Sequence, residues 1–170
     1  MKAIVAVTDT WGIGFEGDLA FRIPDDMRRF RETTWGHAVI MGRRTYESLG
    51  GRPLPGRRCI VVSSRDVPGA ETYRDPYAAA SAAGDDSFVI GGESVYRELL
   101  AFCDEAYVTF ACRTDGSDIP ADRFFPDLDD DGGWHLRSLE GPYLYGHLRY
   151  EYRVYRNRNV KPVAVSPNSR

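Results

Sequence analysis

Four short runs of apolar and β-branched residues, Ala3 to Val7, Ala38 to Met41, Cys59 to Val62 and Phe88 to Ile90, constrain the architecture of this chain more than any other feature. Each is continuous rather than alternating, the pattern of a strand buried on both faces. Between them the apolar spacing turns helical at Asp25 to Thr33, Thr45 to Leu49 and Tyr77 to Ala83, and it does so again at Ser94 to Phe102. A strand can return parallel to its predecessor only through a long crossover, and a helix is the usual one. The alternation therefore predicts an α/β fold, a largely parallel sheet with helices on both sides.

After Phe102 the pattern changes. Ala106 to Cys112, Trp134 to Leu139 and His147 to Tyr155 read as antiparallel strands added to an edge; in the last, Leu148, Tyr150, Tyr152 and Val154 alternate with Arg149, Glu151 and Arg153. Asp127 to Gly133 is an acidic connection. A chain of 170 residues supports one core and not two. A single domain over residues 1–157 is expected, with 158–170, which lack periodicity, as a flexible tail.

The formal charge of -3 offers no broad basic field for a nucleic-acid backbone or an anionic membrane. Cys59, Cys103 and Cys112 lack the paired short spacing of a zinc site and read as buried thiols of a reducing compartment. The opening run reaches Thr8 and Asp9 too soon for a signal-peptide core, and no apolar stretch has membrane-spanning length. These features point to a cytoplasmic protein, expected to be monomeric, with neither nucleic acid nor membrane as partner.

Gly12-Ile13-Gly14-Phe15-Glu16-Gly17 satisfies the G-x-G-x-x-G pattern of dinucleotide-binding turns, but the context is wrong. Its third glycine should lie in a helix opening directly from the strand, whereas the next helix starts only at Pro24. No acidic residue follows the second strand; Gly42-Arg43-Arg44 stands there instead. The stretch reads as a glycine-rich turn or as a mobile loop covering a site.

Pro24 at the first helical position puts Asp25 and Asp26 in the first turn, where the helix dipole favours negative charge. Asp25 points away from the apolar stripe and is an ordinary solvated cap. Asp26 shares a face with Met27, Phe30 and Thr33, so its carboxylate is directed at the core or a cleft. Such a placement disfavours ionisation unless a ligand or a hydrogen-bond donor meets it. The bland alternative is a carboxylate bonded to nearby backbone.

Three turns at strand ends look prepared for anions. Arg43 and Arg44 crowd a helix start, a poor place for two cations unless an anion joins them. Ser63-Ser64-Arg65 follows the third strand with two hydroxyls and a cation. Gly91-Gly92 leaves backbone N–H groups bare before the helix carrying Val95, Tyr96 and Leu99. In a parallel sheet all three lie at the carboxyl edge, where open α/β folds bind ligands. An elongated ligand with several phosphates fits, and a dinucleotide is one.

The motifs Ile23-Pro24-Asp25-Asp26-Met27, Val39-Ile40-Met41-Gly42-Arg43-Arg44-Thr45-Tyr46-Glu47-Ser48, Arg52-Pro53-Leu54-Pro55-Gly56-Arg57 and Ile90-Gly91-Gly92-Glu93-Ser94-Val95-Tyr96 resemble the dihydrofolate reductase family in sequence, order and spacing. The resemblance runs from about residue 3 to 155. It implies a single-domain, eight-stranded mixed and mostly parallel sheet with four flanking helices. It also implies NADPH-dependent reduction of 7,8-dihydrofolate to 5,6,7,8-tetrahydrofolate.

Position by position, the resemblance implies that Asp26 binds the amidine-like edge of the pterin with Thr109 as its hydrogen-bond partner, and that Phe21 belongs to the catalytic set. Ala6, Met27, Phe30, Leu49, Leu54, Arg57 and Ile90 would hold the substrate, Arg57 through the α-carboxylate of its glutamate tail. NADPH would lie against Ala6, Ile13, Gly14 and Tyr96 at the nicotinamide. Gly42, Arg43, Arg44 and Thr45 would take phosphates, and Ser63, Ser64 and Arg65 the adenosine 2′-phosphate. The Gly91-Gly92 pair, joined in this family by a cis peptide, would meet the pyrophosphate with Glu93, Ser94 and Val95. Asp122 would steady the covering loop. Phe21 departs from the tryptophan many relatives carry, and Gly50-Gly51 lengthens the approach to Arg57. The alternatives are a same-fold riboflavin-pathway pyrimidine reductase and a non-catalytic nucleotide-binding structural protein.

Overall fold

The computed structural model describes residues 1–163. Four parallel strands appear where the apolar runs predict them: β1 (Lys2–Thr8), β4 (Ala38–Gly42), β5 (Arg58–Val62) and β7 (Ser87–Gly91). So do the helices α1 (Pro24–Thr34), α2 (Arg43–Ser48), α3 (Pro76–Ala83) and α4 (Glu93–Leu99), the last continued by a 3-10 turn, Leu100–Phe102. β8 (Glu105–Arg113), β10 (Trp134–Tyr145) and β11 (Leu148–Asn157) complete most of the main sheet.

The eight strands lie in the order β10-β11-β8-β1-β7-β4-β5-β6, the last being Glu71–Tyr73. This short strand is absent from the sequence-based expectation, because three half-buried residues carry too little periodicity to register. A second correction concerns β8, which pairs in parallel with β1 along the whole of β1 and not antiparallel as expected. The α4 crossover returns the chain in the original direction before the hairpin turns it back. Only β11 runs antiparallel to its neighbours on either side.

Helices cover both faces, which is why the central strands are continuously apolar. On one face Ala3, Val5, Val7, Ile40 and Val89 pack under α3 and α4 with Trp11 and Phe125. On the other, Val39, Met41, Val61 and Phe88 pack against Tyr46 of α2. α1 lies over that second face beside β8 and β11, where Ile23, Ala111 and Tyr150 form a smaller cluster.

The glycine-rich stretch is neither a bare turn nor an unpaired loop. β2 (Gly12–Phe15) pairs with β3 (Asp18–Leu19) as a hairpin and with β9 (Arg123–Phe124) on its other side. Glu16 and Gly17 supply the positive φ values of a tight connection. A side chain at Gly12 would collide with Ala121, so close backbone approach explains that glycine.

The tail also differs from expectation over its first part. Residues 158–163 lie back on the body: the Lys161 N–H donates to the Ala101 carbonyl at 2.9 Å, and Val163 packs against the larger core. The remainder of the expected tail, 164–170, falls outside the described residues.

Candidate active site

The site begins with a split in the sheet. β1 and β7 are paired only at Lys2 with Phe88 and at Ala3 with Val89, while β1 stays paired to β8 as far as Thr8 and β7 stays paired to β4 as far as Gly91. From Ile4 onward the two central strands have parted. Chain connections leave β1 toward β4 and leave β7 toward β8, so the split lies at the topological switch point of an open α/β sheet. The Ile4 carbonyl, freed from the ladder, accepts the Tyr96 hydroxyl at 2.7 Å.

A cleft of about 500 Å³ opens between α1 and the sheet beside this split, and Asp26 stands in its wall. The Thr109 hydroxyl donates to Asp26 Oδ1 at 2.6 Å. The other carboxylate oxygen receives no donor from the described residues, and the Thr109 oxygen keeps lone pairs that can accept. Burial lifts the Asp26 carboxyl above the ordinary carboxylate range; the Thr109 bond and then Arg29 oppose that rise. Ile4 and Phe30 give the slot apolar walls. A carboxylate and an acceptor side by side between flat apolar surfaces suit a planar heterocycle that carries several N–H groups.

The α1 wall consists of Asp26, Arg29, Phe30 and Thr33, spaced i, i+3, i+4 and i+7. Met27, expected on this face, is 49% exposed and off the cleft wall, since it sits 100° from Asp26 round the helix. Sequence reasoning missed Arg29, Ile4 and Tyr152. The i+3 spacing from Asp26 signals the first, and strand alternation with Ala6 and Tyr150 signals the others. Phe21, expected in the catalytic set, is not in the cleft wall; it packs on the Ile23, Ala111 and Tyr150 cluster. Ala6 lies opposite Thr109 in the ladder and is partly buried.

Arg57 is half-buried beside the far end of α1, held by Nε to the Pro55 carbonyl at 2.9 Å and by Nη1 to Thr34 Oγ1 at 3.3 Å. Burial brings its guanidinium below the ordinary value, and no carboxylate of the described residues pairs with it. Leu54 is half-buried against the α2-side core, as is Ile90, while Leu49 is more exposed. Gly50 and Gly51, which lengthen the approach to Arg57, both take positive φ in the turn that leaves α2.

Two of the expected anion turns meet, and the third, Ser63 to Arg65, follows the adjacent strand, whose Val62 pairs with Gly42. A methyl added at Gly91 or Gly92 would meet Thr45 Oγ1 at 3.5 or 3.4 Å, and one added at Gly42 would lie 4.0 Å from the Gly92 nitrogen. The Gly91-Gly92 peptide is cis. Arg44 and Arg65 have no carboxylate partner among the described residues, whereas Arg43 is paired with Glu47 at 2.7 Å. Ser64 is exposed; Ser63 is buried, and its hydroxyl accepts the Arg65 N–H, so it shapes the turn from within.

Several of the expected cofactor residues have other contacts. Glu93 accepts the Phe124 N–H at 3.0 Å and faces Arg97, because an acid at the start of α4 finds local donors. Val95 is buried and Tyr96 reaches through the sheet, while Ser94 is exposed. Ile13 packs on the larger core, and Gly14 is paired to Leu19 and Arg123. Asp122 Oδ2 accepts the Glu16 N–H at 3.0 Å, which ties the hairpin to the β9 segment as the resemblance implies.

Unpaired cations at Arg44 and Arg65 and a side-chain-free cradle at Gly91-Gly92 fit a dinucleotide with several phosphates. Together with a half-buried acid in an apolar-walled slot beside the sheet split, they define a nucleotide-dependent oxidoreductase of small heterocycles.

The family model for dihydrofolate reductase matches residues 1–155. Dihydrofolate reductase of Bacillus subtilis (strain 168) is 36% identical over 154 residues, covering 82% of this chain and 86% of that protein. Dihydrofolate reductase of Mycobacterium tuberculosis is 35% identical over 151 residues, covering 84% and 88%. Among solved structures, dihydrofolate reductase from Enterococcus faecalis complexed with NADP(H) and RAB-propyl aligns with a TM-score of 0.77 at 29% identity, over 92% of this chain and 95% of that one. The chain belongs to the dihydrofolate reductase family. It is an NADPH-dependent oxidoreductase that reduces dihydrofolate to tetrahydrofolate. No described helix is long and apolar enough to cross a membrane.

Proposed function

We propose that Asp26 is the acid of this reduction, holding the pterin by its amidine-like edge and favouring its protonated form. The observation that carries this assignment is the Asp26 carboxylate, half-buried in the cleft wall with one oxygen fixed by Thr109 and the other open to a ligand. NADPH supplies the hydride when bound. Asp26 then stabilises the positive charge that the pterin acquires as the ring nitrogen next to the reacting carbon takes its proton, and water makes the final delivery. Among the described residues lining the cleft near Asp26, no other carboxylate, thiol or amine takes that position.

Arg57 is assigned to the carboxylate of the substrate tail, on the strength of its anchored and unpaired guanidinium. Phe30, Ile4 and Ala6 would flank the flat rings, and Arg44, Thr45, Arg65 and the Gly91-Gly92 backbone would hold the cofactor phosphates. The catalytic unit is taken as residues 1–157, in line with the end of β11 at Asn157. Three free thiols suit the cytoplasm, and a monomer is the expected state.

Asp26→Asn tests the central assignment. Turnover with NADPH and dihydrofolate should fall roughly 10²-fold or more at neutral pH, the usual scale for such a group. The deficit should narrow in acid, where solvent protonates the substrate unaided. An equal deficit at every pH would remove Asp26 from the proton step.

A further inference from the structure

Among the described residues, Arg29 is the cation of the cleft wall that lies nearest Asp26 along α1, and its side chain, 40% exposed, stands at the cleft rim. It lies three residues on along α1, in the same wall. Its guanidinium rests flat on Tyr152, 3.7 Å from the ring centroid, and its Nη1 faces Glu140 Oε2 at 3.4 Å. Tyr152 is in turn the ladder partner of Thr109, the residue bonded to Asp26. One short chain of contacts therefore runs from Glu140 through Arg29, Tyr152 and Thr109 to the acid. Tyr143 closes its outer end by donating to Glu140 Oε1 at 2.7 Å.

We propose that Arg29 is a positioning residue of the reaction: pinned on Tyr152, it supplies the positive charge that balances the half-buried Asp26 carboxylate. The proposal rests on the assignment of Asp26 as the acid. Arg29 has two anionic neighbours of very different standing. Glu140 is mostly exposed, so their long contact is weakened by solvent. Asp26 is half-buried in the cleft wall, where a nearby charge acts through a medium of lower effective dielectric than at the open surface. Loss of Arg29 should therefore be felt chiefly at Asp26.

The other charged and titratable groups around Asp26 do not substitute for it. On α1, Asp25 and Arg28 pair with each other at 3.0 Å in solvent. β8 contributes the Thr109 hydroxyl. β11 contributes Tyr150 and Tyr152, and burial, with Asp26 alongside, pushes the Tyr152 hydroxyl up to about 12, so it stays neutral at working pH. Arg153 lies over the Phe110 ring and pairs with Glu151 and Asp129. Lys2 and the His37–Asp86 pair stand at the opposite end of the cleft.

The test compares the parent enzyme with Arg29→Gln, Arg29→Lys and Asp26→Asn in single-turnover hydride transfer at saturating NADPH and dihydrofolate across pH. The Asp26 carboxyl is also followed by carbon NMR titration in the free enzyme. Removing a cation favours the protonated state, so Arg29→Gln should move the midpoint upward and leave the hydride step faster than the parent's on the alkaline side. The expected gain is roughly threefold to tenfold, the span of half to one pH unit. Arg29→Lys should restore the parent midpoint.

A folded Arg29→Gln enzyme with the parent's midpoint and an unmoved Asp26 titration would overturn the proposal and leave the Asp26 assignment standing. An Asp26→Asn enzyme with the parent's pH profile would instead overturn the assignment beneath it. If Arg29→Gln does not fold, the NMR titration of Arg29→Lys against Glu140→Gln decides. Glu140→Gln removes the competing anion and should lower the Asp26 midpoint; no movement there would count against Arg29.

Discussion

The Thr109 hydroxyl donates to Asp26 Oδ1 at 2.6 Å across 83 residues of sequence, joining the central sheet to the helix that covers it. The bond sets the carboxylate's orientation and partly offsets the rise that burial imposes on its pKa. Thr109→Val keeps the shape and removes the donor. Asp26 should then titrate still higher, and kcat/KM for dihydrofolate should fall about tenfold or more, since a hydrogen bond to a charged group contributes roughly 1.5–3 kcal/mol. Carbon NMR and steady-state kinetics read the two effects, and Thr109→Ser should recover both. If serine recovers neither, the methyl and not the hydroxyl is what the site needs.

Asp26 should cost stability while it serves function. Its carboxyl titrates higher in the folded protein than in the unfolded chain, so between the two values the folded state binds more protons and stability falls as pH rises. Above the folded value the penalty is complete, and below the ordinary carboxylate range it is absent. Asp26→Asn should therefore stabilise the protein at neutral pH. Urea unfolding of both proteins should show the gain at neutral pH and its disappearance in acid. A constant gain at both would assign it to packing.

On the cofactor side, Arg65→Gln and Gly92→Ala should separate charge from shape. Arg65 is exposed and has no carboxylate partner among the described residues, so its loss should weaken NADPH about tenfold or more and leave NADH little changed. At Gly92 the added methyl would sit 3.4 Å from Thr45 Oγ1, a tolerable contact for folding. It occupies the cradle itself, so it should weaken NADPH and NADH alike while thermal stability holds. Fluorescence titration of both nucleotides distinguishes the outcomes. Equal losses of both nucleotides in Arg65→Gln would detach this residue from the 2′-phosphate.

Much of the site was legible because it sits on regular elements. Asp26 follows from a proline-started helix whose stripe faces inward, and the Arg44, Arg65 and Gly91-Gly92 turns follow from their places at the carboxyl ends of apolar strands. Arg29 was obscured by its charge. A cation normally marks the solvated face of a helix, and only a tyrosine 123 positions later, presented by another strand, makes the inward placement favourable. Phe21 failed in the opposite sense: similarity of position suggested the cleft, but the apolar cluster of Ile23, Ala111 and Tyr150 offers it a better burial.

The sequence by itself determined the local things: continuous apolar runs that must be buried twice, helices started by Pro24 and Pro76, and turns rich in glycine and arginine. Backbone sterics and the hydrophobic effect act over a few residues, so they can be read in order along the chain. Tertiary structure alone decided that β8 lies parallel to β1, that β1 and β7 part after Ala3, and that Thr109, Asp26, Arg29 and Tyr152 meet. Those contacts depend on how distant segments pack and on how much water is excluded between them. No periodicity along the chain records that.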